Sequence, residues 1–147
     1  MAMSTDRLNV LVKVAESRTD VAAQALGRSK AGLNEQEGRL NELRRYMDEY
    51  RTRPLPVSPA LIANRERFLA RLGEAELQQV RAVNAAEAAV RESTQGWLER
   101  RAGQQKFGVL QAAAVDREGR VAEQLSQKQM DEFSLRRFAL GAEQHGD

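Results

Sequence analysis

Residue types that carry acid–base or nucleophilic chemistry are scarce or badly placed in this chain. It has one histidine and no cysteine, and the histidine, His145, stands in the C-terminal tail, where we expect it to be exposed and unable to complete a Ser/His/Asp triad. No phosphate-binding loop of the GxxxxGKS/T or GxGxxG type occurs. The 21 acidic residues fall at helical spacings that put most of them on outer faces, where ion pairing is their usual role. We therefore predict that the protein is not an enzyme and has no catalytic residue, cofactor or metal site.

The most informative side chains are instead apolar and aromatic. Leu43, Tyr46, Met47 and Tyr50 form a dense patch just before a proline-rich break. Met47 and Tyr50 fall on a predicted apolar seam, so we expect them to pack in a core. Tyr46 lies off that seam, one turn from Tyr50, and is either a cover for the seam or part of a contact surface. Four arginines surround the patch and either favour an acidic partner or only keep this end soluble: Arg44, Arg45, Arg51 and Arg53.

The composition predicts long helices rather than a thick globular core. Of the 147 residues, 5% are aromatic and 30% are charged, a bias typical of coiled coils. The formal net charge is +2, and the two signs are interspersed as on a solvated helix face, so we predict no nucleic-acid binding. There is neither a signal-peptide pattern at the N-terminus nor an apolar run long enough to span a bilayer. We expect a cytoplasmic protein that reaches a membrane only through its partners.

The three prolines divide the chain into two helical segments. All of them fall within residues 54–59, and proline both removes a backbone donor and clashes with the preceding helical turn. We predict a first helix over about 5–51, a turn over 52–58, a second helix over about 59–138 and a flexible tail over 139–147.

Both segments carry an apolar stripe. Residues at alternating spacings of four and three form the predicted seam of the first segment, and most are apolar: Leu8, Val12, Ala15, Thr19, Ala22, Leu26, Ser29, Leu33, Gln36, Leu40, Leu43, Met47 and Tyr50. The second stripe is less regular: Ile62, Leu69, Leu72, Val83, Ala86, Val90, Trp97, Phe107, Ala114, Val121 and Leu125. Ser4 or Thr5 can cap the first helix, and Ser58 can cap the second. The predicted fold is all-α, a single domain consisting of a long antiparallel two-helix coiled-coil hairpin with the second helix longer than the first.

The difference in helix length leaves part of the second segment without a partner. At 1.5 Å per residue, the helices span roughly 70 Å and 120 Å. A fold-back centred on the prolines puts Leu8 opposite Ala102 and leaves about thirty residues unpaired, from near Phe107 to Phe138. The apolar side chains of this overhang predict an external partner. The alternatives are that it frays or dimerises.

Glycine recurs inside both predicted helices, at positions 27, 32, 38, 73, 96, 103, 108 and 119. Each glycine costs about 1 kcal/mol relative to alanine in a helix interior. With a two-helix seam as the only core, we expect a marginally stable, flexible hairpin. Such a chain suits clamping by a partner better than service as a rigid spacer.

Three segments together resemble the FliJ family of flagellar export proteins. In Arg39–Arg51, a Tyr-x-x-x-Tyr pair precedes the turn, as it does at the end of the family's first helix. Residues 63–65, Ala-Asn-Arg, follow the turn in a similar way. Residues 127–133 are similar to the family's C-terminal Met-Asp-Glu-Phe segment. Each motif alone is weak, but their order and spacing across essentially the whole chain make the resemblance specific.

The resemblance implies an antiparallel coiled coil similar in shape to the stalk (γ) subunit of rotary ATPases. It implies a component of the flagellar type III export apparatus, cytoplasmic and peripheral to the inner membrane at the flagellar base. Three kinds of partner follow from it: the hexameric export ATPase FliI, the export-gate protein FlhA, and empty export chaperones that the protein escorts.

The resemblance also implies two sets of contact residues. The ATPase contact would lie in the terminal coil: Met130, Asp131, Glu132 and Phe133. The gate contact would lie near the hairpin tip, on Leu43, Tyr46 and Tyr50 of the first helix and on Leu72 and Val83 of the second. Glu76 and Gln79 fall at two further positions of the gate surface but are polar.

The leading prediction is therefore a non-enzymatic stalk that couples the export ATPase to the export gate. Two other functions fit the same residues. One is a secretion chaperone or adaptor, including the related stalk of a virulence-type type III secretion system. The other is a structural homo-oligomeric coiled coil that self-associates through residues 107–138.

Overall fold

The chain folds into two α-helices. The structure, a computed structural model, describes the backbone of residues 3–144 and the side chains of residues 3–142, so the predicted exposure of His145 lies outside the described residues. Helix α1 spans Thr5–Arg51 and helix α2 spans Pro59–Gln144. The described part of the chain contains no strand. The predicted fold class, all-α with a longer second helix, is confirmed.

Helix α2 is longer than the sequence suggested. It continues past Phe138, where we expected it to end, and runs to Gln144. The added residues read Ala-Leu-Gly-Ala-Glu-Gln, which are good helix formers apart from one glycine that costs about 1 kcal/mol. Because nothing in this stretch breaks a helix, the predicted helix end was too early.

The helix starts follow from local capping chemistry. The Ser4 hydroxyl accepts the Arg7 amide at 3.4 Å, and the Ser4 carbonyl accepts the Leu8 amide at 3.1 Å. Ser4 is therefore the N-cap of α1, one of the two residues expected there. At the start of α2, the Ser58 carbonyl accepts the amide of Ile62 at 3.0 Å, which is the first hydrogen bond of that helix.

The described residues form two compact units. One unit comprises Ser17–Arg101, and the other comprises the described parts of Met1–Glu16 and Ala102–Asp147. We call them the turn unit and the terminal unit. In the turn unit, the Ser29 hydroxyl lies 2.7 Å from that of Ser93, while further along α1 Gln36 bonds to Gln79. Partner numbers fall on α2 as they rise on α1, so the turn unit is an antiparallel helical hairpin.

Each unit has a thin core that lies on the predicted seam. Leu40, Met47 and Val83 are buried in the turn unit, and Leu8, Ala15 and Ala114 are buried in the terminal unit. The buried α1 residues of each unit are separated by one heptad, as a coiled-coil seam requires. Burial of a large apolar side chain contributes about 1.5–3 kcal/mol to stability. Because each core is so small, the stability of each unit depends on few residues.

Pairing with α1 begins well inside α2. Leu61 of α2 lines the same cavity as Pro54 and Pro56 of the turn, so the first turn of α2 lies beside the proline segment. Further along, the Arg65 side chain reaches the last residue of α1, Arg51. Neighbouring helix axes lie about 8–10 Å apart. The turn and the first residues of α2 together cross this distance before α2 pairs with α1.

This longer crossing corrects the predicted register. In the terminal unit, the Gln111 side-chain amide donates to the Asn9 side-chain oxygen, whereas we expected the neighbouring Leu8 to face Ala102. The paired part of α2 therefore extends further than predicted, and an overhang starting near residue 107 was wrong. The side chains of residues 115–140 are all exposed, so the apolar residues among them lack cover within this unit.

Candidate partner-binding surfaces

The end of α1 is capped by the first residues of the turn. The Thr52 amide donates to the Asp48 carbonyl at 3.1 Å, and the Thr52 hydroxyl donates to the Glu49 carbonyl at 2.9 Å. The Arg53 amide donates to the Tyr50 carbonyl at 3.3 Å. Three of the last four helix carbonyls, which have no partner inside the helix, are satisfied in this way.

The fourth carbonyl is satisfied from the other helix. Arg65 of α2 donates from Nη2 to the carbonyl oxygen of Arg51 at 2.7 Å. A cation at a helix C-terminus is also favoured by the helix dipole. Arg65 therefore ties the start of α2 to the end of α1 and fixes the turn that presents the aromatic residues.

Three aromatic rings pack together beside this turn. The Tyr50 and Phe68 ring centroids are 4.8 Å apart, and Tyr46 lies 6.4 Å from Tyr50 and 6.3 Å from Phe68. The Tyr46–Phe68 contact is edge-on at 85°, an arrangement that aromatic pairs favour. We call these three residues the aromatic cluster. It joins both helices, because Tyr46 and Tyr50 of α1 both lie against Phe68 of α2.

The predicted gate-contact residues differ in exposure. Tyr46 is 42% exposed, whereas three others are half-buried: Leu43, Tyr50 and Leu72. Met47, which follows Tyr46 in the chain, is 2% exposed, as expected for a seam residue. Val83 is buried, with 8% of its surface exposed. Val83 has little surface to offer a partner in this structure, so a contribution from it would act through the residues that it supports.

A cavity of about 420 Å³ opens beside the aromatic cluster. Its walls include two aromatic rings, two prolines and two arginines: Tyr50, Phe68, Pro54, Pro56, Arg53 and Arg65. The Arg53 guanidinium carbon lies 5.2 Å from the Tyr50 ring centroid, within cation–π distance. The tip of the turn unit thus combines an apolar recess with positive charge.

Two predicted surface arginines have acidic neighbours in the chain. Arg44 lies 3.6 Å from Glu76 of α2, and Arg51 lies 3.9 Å from Asp48. Three of these four side chains are exposed and Glu76 is half-buried, and ion pairs at the surface contribute roughly 0–1 kcal/mol. Glu76, one of the polar residues at the family's gate positions, is therefore occupied by an internal ion pair.

The predicted ATPase-contact residues all lie on the exposed part of α2. Met130 is 66% exposed and Phe133 is 62% exposed, and Asp131 and Glu132 are exposed between them. The Arg137 guanidinium carbon lies 5.8 Å from the Phe133 ring centroid. The segment therefore presents two adjacent acidic side chains between two apolar ones.

A carboxylate helps to hold the start of α1 in the terminal unit. The Glu118 side chain accepts the Thr5 amide at 3.2 Å. The Thr5 hydroxyl lies beside the same carboxylate without a partner in hydrogen-bond geometry. The pKa of the Glu118 carboxyl is held below its ordinary value of 4.5 by Thr5, whose hydroxyl has the larger effect and whose amide has the smaller one. This contact fastens the N-terminal end of α1 to α2.

The described residues contain no group of three or more acidic, histidine or cysteine side chains arranged to hold a metal ion. Among them, no helix is both long and apolar enough to cross a membrane. The features that the chain does present are apolar, aromatic and charged surfaces.

Comparison with known families settles the affiliation of the chain. The family model described as flagellar FliJ protein matches residues 3–143. The chain belongs to the FliJ family. The resemblance inferred from three short segments is thus confirmed, and the family indicates a role related to flagellar export among its non-catalytic components. A comparison with curated protein sequences returns no match.

Two structural features of this FliJ-family chain are not evident from its sequence. Phe68, the third member of the aromatic cluster, was not singled out because the adjacent Leu69 fits the apolar stripe better. Arg65 was noted only as part of a family motif, and its bond across the turn was not expected. The signal for both was their spacing: they stand three residues apart on one face of α2, just after the prolines.

Proposed function

We propose that this FliJ-family protein is a non-enzymatic stalk of the flagellar type III export apparatus. It links the hexameric export ATPase FliI to the export-gate protein FlhA and escorts empty export chaperones. It works in the cytoplasm, peripheral to the inner membrane at the flagellar base. The observation that carries the proposal is the run of exposed apolar side chains on α2 that belong to a chain of this family: Val121, Leu125, Met130, Phe133, Leu135, Phe138 and Leu140.

The ATPase contact is assigned to the terminal unit, at Met130, Asp131, Glu132 and Phe133. Exposed apolar side chains that lie close together on a helix are stabilised when a partner covers them, and the ATPase ring is the partner that the family affiliation favours. In this proposal, the terminal coil sits in the ring and biases the assembly and turnover of the hexamer.

The gate contact is assigned to the turn unit. Tyr46 offers exposed aromatic surface, and it is held by Tyr50 and Phe68 so that little side-chain freedom is lost on binding. Leu43 and Leu72 extend the apolar surface on the two helices. The two proposed contacts thus use residues of different units.

One experiment tests the ATPase half of this proposal. The full chain is copurified with its cognate export ATPase, and ATP hydrolysis is measured with and without it. We expect binding and a change in the rate of hydrolysis. If the ATPase does not bind and its rate of hydrolysis does not change, the proposal is contradicted.

The exposed apolar run also favours a second candidate function, a homo-oligomeric coiled coil. That candidate predicts stable self-association through the terminal unit. Sedimentation velocity of the purified chain at micromolar concentration decides between them. A monomer rejects the structural oligomer, whereas a stable oligomer that loses its association when Met130 and Phe133 are replaced by serine supports it.

A further inference from the structure

The Arg65 guanidinium has unused hydrogen-bonding capacity. Its Nη2 atom donates to the Arg51 carbonyl at 2.7 Å. Its Nε and Nη1 atoms are buried and have no hydrogen-bond partner. Buried donors without an acceptor are destabilising. Because Arg65 lines the cavity, a rotation of its guanidinium toward a ligand oxygen there would satisfy them and strengthen binding beyond what contact area alone provides.

A second guanidinium at the same cavity is also without an acidic partner. Among the described residues, neither Arg53 nor Arg65 has a carboxylate oxygen within 4.0 Å, whereas Arg44 and Arg51 do. Arg53 is exposed and lies over the Tyr50 ring. Two unpaired positive charges therefore line one recess.

The remaining walls define what else the ligand must contain. Tyr50, Phe68, Pro54 and Pro56 provide aromatic and proline surface, which favours an apolar group next to the anion. The cavity volume of about 420 Å³ is in the range of small-ligand pockets, about 300–1,000 Å³. A nucleic-acid backbone would instead need a long series of evenly spaced cations.

We propose that this cavity binds a carboxylate side chain in an acidic, partly apolar peptide segment of the protein that docks at the turn. Arg53 and Arg65 pair with the carboxylate, because guanidinium groups form strong charge-assisted bonds to carboxylates. The rings and prolines cover the apolar side chain beside it. This inference rests on the proposed gate contact and adds the chemistry that the partner must offer there.

The direct test uses a peptide probe and the full chain. The probe is the acetylated peptide Gly-Asp-Phe-Glu-Leu-Asp-Gly, and its control carries Asn and Gln in place of Asp and Glu. Binding is followed by NMR through the backbone amides of the non-proline residues within 50–68. We expect the acidic peptide to bind at least about tenfold more tightly than the amide peptide. Equal binding of the two peptides overturns the proposal.

Three variants assign the binding to the cavity. Arg53→Gln removes the exposed cation, and we expect it to weaken the acidic peptide about tenfold. Arg65→Lys can still donate to the Arg51 carbonyl while losing the planar guanidinium, so we expect weaker peptide binding without a change in thermal unfolding. Arg67→Gln is the matched control, because it removes an exposed arginine that does not line the cavity. If all three variants weaken binding equally, the attraction is general electrostatics and the proposal fails.

The same variants separate this inference from the gate contact itself. Each full-length variant is titrated with the purified export-gate protein. If the gate protein binds wild type and Arg53→Gln equally well, the carboxylate site is wrong and the gate contact stands. If the gate protein does not bind wild type while the acidic peptide binds in an Arg53-dependent way, the gate contact is wrong and the site stands.

Discussion

The side-chain amide of Gln79 donates to both the backbone carbonyl and the side-chain oxygen of Gln36, at 3.0 Å and 2.8 Å. The pair is part-buried in the seam of the turn unit. Polar seam pairs of this kind specify the register of a coiled coil at some loss of stability. Here, Gln36 interrupts the apolar stripe of α1 and bonds to Gln79, a polar residue on the facing side of α2.

Breaking this pair on one side should destabilise the chain. We expect Gln79→Ala to lower the free energy of unfolding by about 1–2 kcal/mol, because the Gln36 oxygens lose their donor in a part-buried site. Urea unfolding followed by circular dichroism measures the change. Gln78→Ala is the matched control, since Gln78 is exposed. An effect of equal size in the control would show that the lost pair is not the cause.

The two tyrosines should separate binding from stability. We expect Tyr46→Ala to weaken gate binding about tenfold or more, as loss of an aromatic hot spot does, with little change in the melting temperature. Tyr50→Ala should lower both the affinity for the gate protein and the melting temperature, because the Tyr50 ring packs 4.8 Å from Phe68. Calorimetric titration and thermal unfolding provide the two readouts. In the double variant, gate binding should be weak while helicity is largely retained. A large loss of helicity would show that both rings serve mainly as core.

The exposed terminal segment should serve binding without serving stability. We expect replacement of Met130 and Phe133 by serine, or deletion from Met130 onward, to weaken ATPase binding and leave gate binding unchanged. The melting temperature of the double serine variant should hold, since both side chains are more than half exposed. Pulldown with each partner measures the effect. Loss of gate binding instead of ATPase binding would reverse the assignment of the two surfaces.

The helical glycines should be replaceable with a gain in stability. A Cβ added at Gly27 or Gly38 would meet nothing within 4 Å, and alanine favours a helix interior by about 1 kcal/mol over glycine. We therefore expect Gly27→Ala and Gly38→Ala each to raise the free energy of unfolding by about 1 kcal/mol, as measured by urea unfolding. A decrease would mean that the backbone at that position needs the freedom of glycine.

Stability should show a small dependence on the Glu118 carboxylate at acid pH. Because the fold lowers the pKa of this carboxyl below 4.5, its contribution is present above that pH and is lost as the pH falls through the folded-state value. We expect Glu118→Gln to lower the melting temperature at pH 7 but not at pH 3. Glu123→Gln, which removes an exposed carboxylate on the same helix, is the control. A pH-independent effect would point to loss of shape rather than of charge.

Much of this architecture can be predicted from local patterns in the sequence. Proline clustering determines where α1 and α2 separate, since no helix continues through residues 54–59. Heptad spacing identifies the buried residues, and Leu8, Leu40 and Met47 all lie on the predicted seam. Serine N-caps mark both helix starts. These features depend on neighbours within a few positions of the chain, which the sequence displays directly.

Features that depend on contacts between helices could not be predicted in this way. The register of α2 against α1 depends on how far the chain travels before pairing begins, which only inter-helix contacts such as the Gln111–Asn9 hydrogen bond reveal. The aromatic cluster needs Phe68 to meet Tyr46 and Tyr50 across the seam. Likewise, only the tertiary structure brings the guanidinium groups of Arg53 and Arg65 to the same cavity. Sequence thus determined the two helices, their seam and the family, whereas tertiary structure decided which side chains meet, because contact between distant residues depends on distances in space.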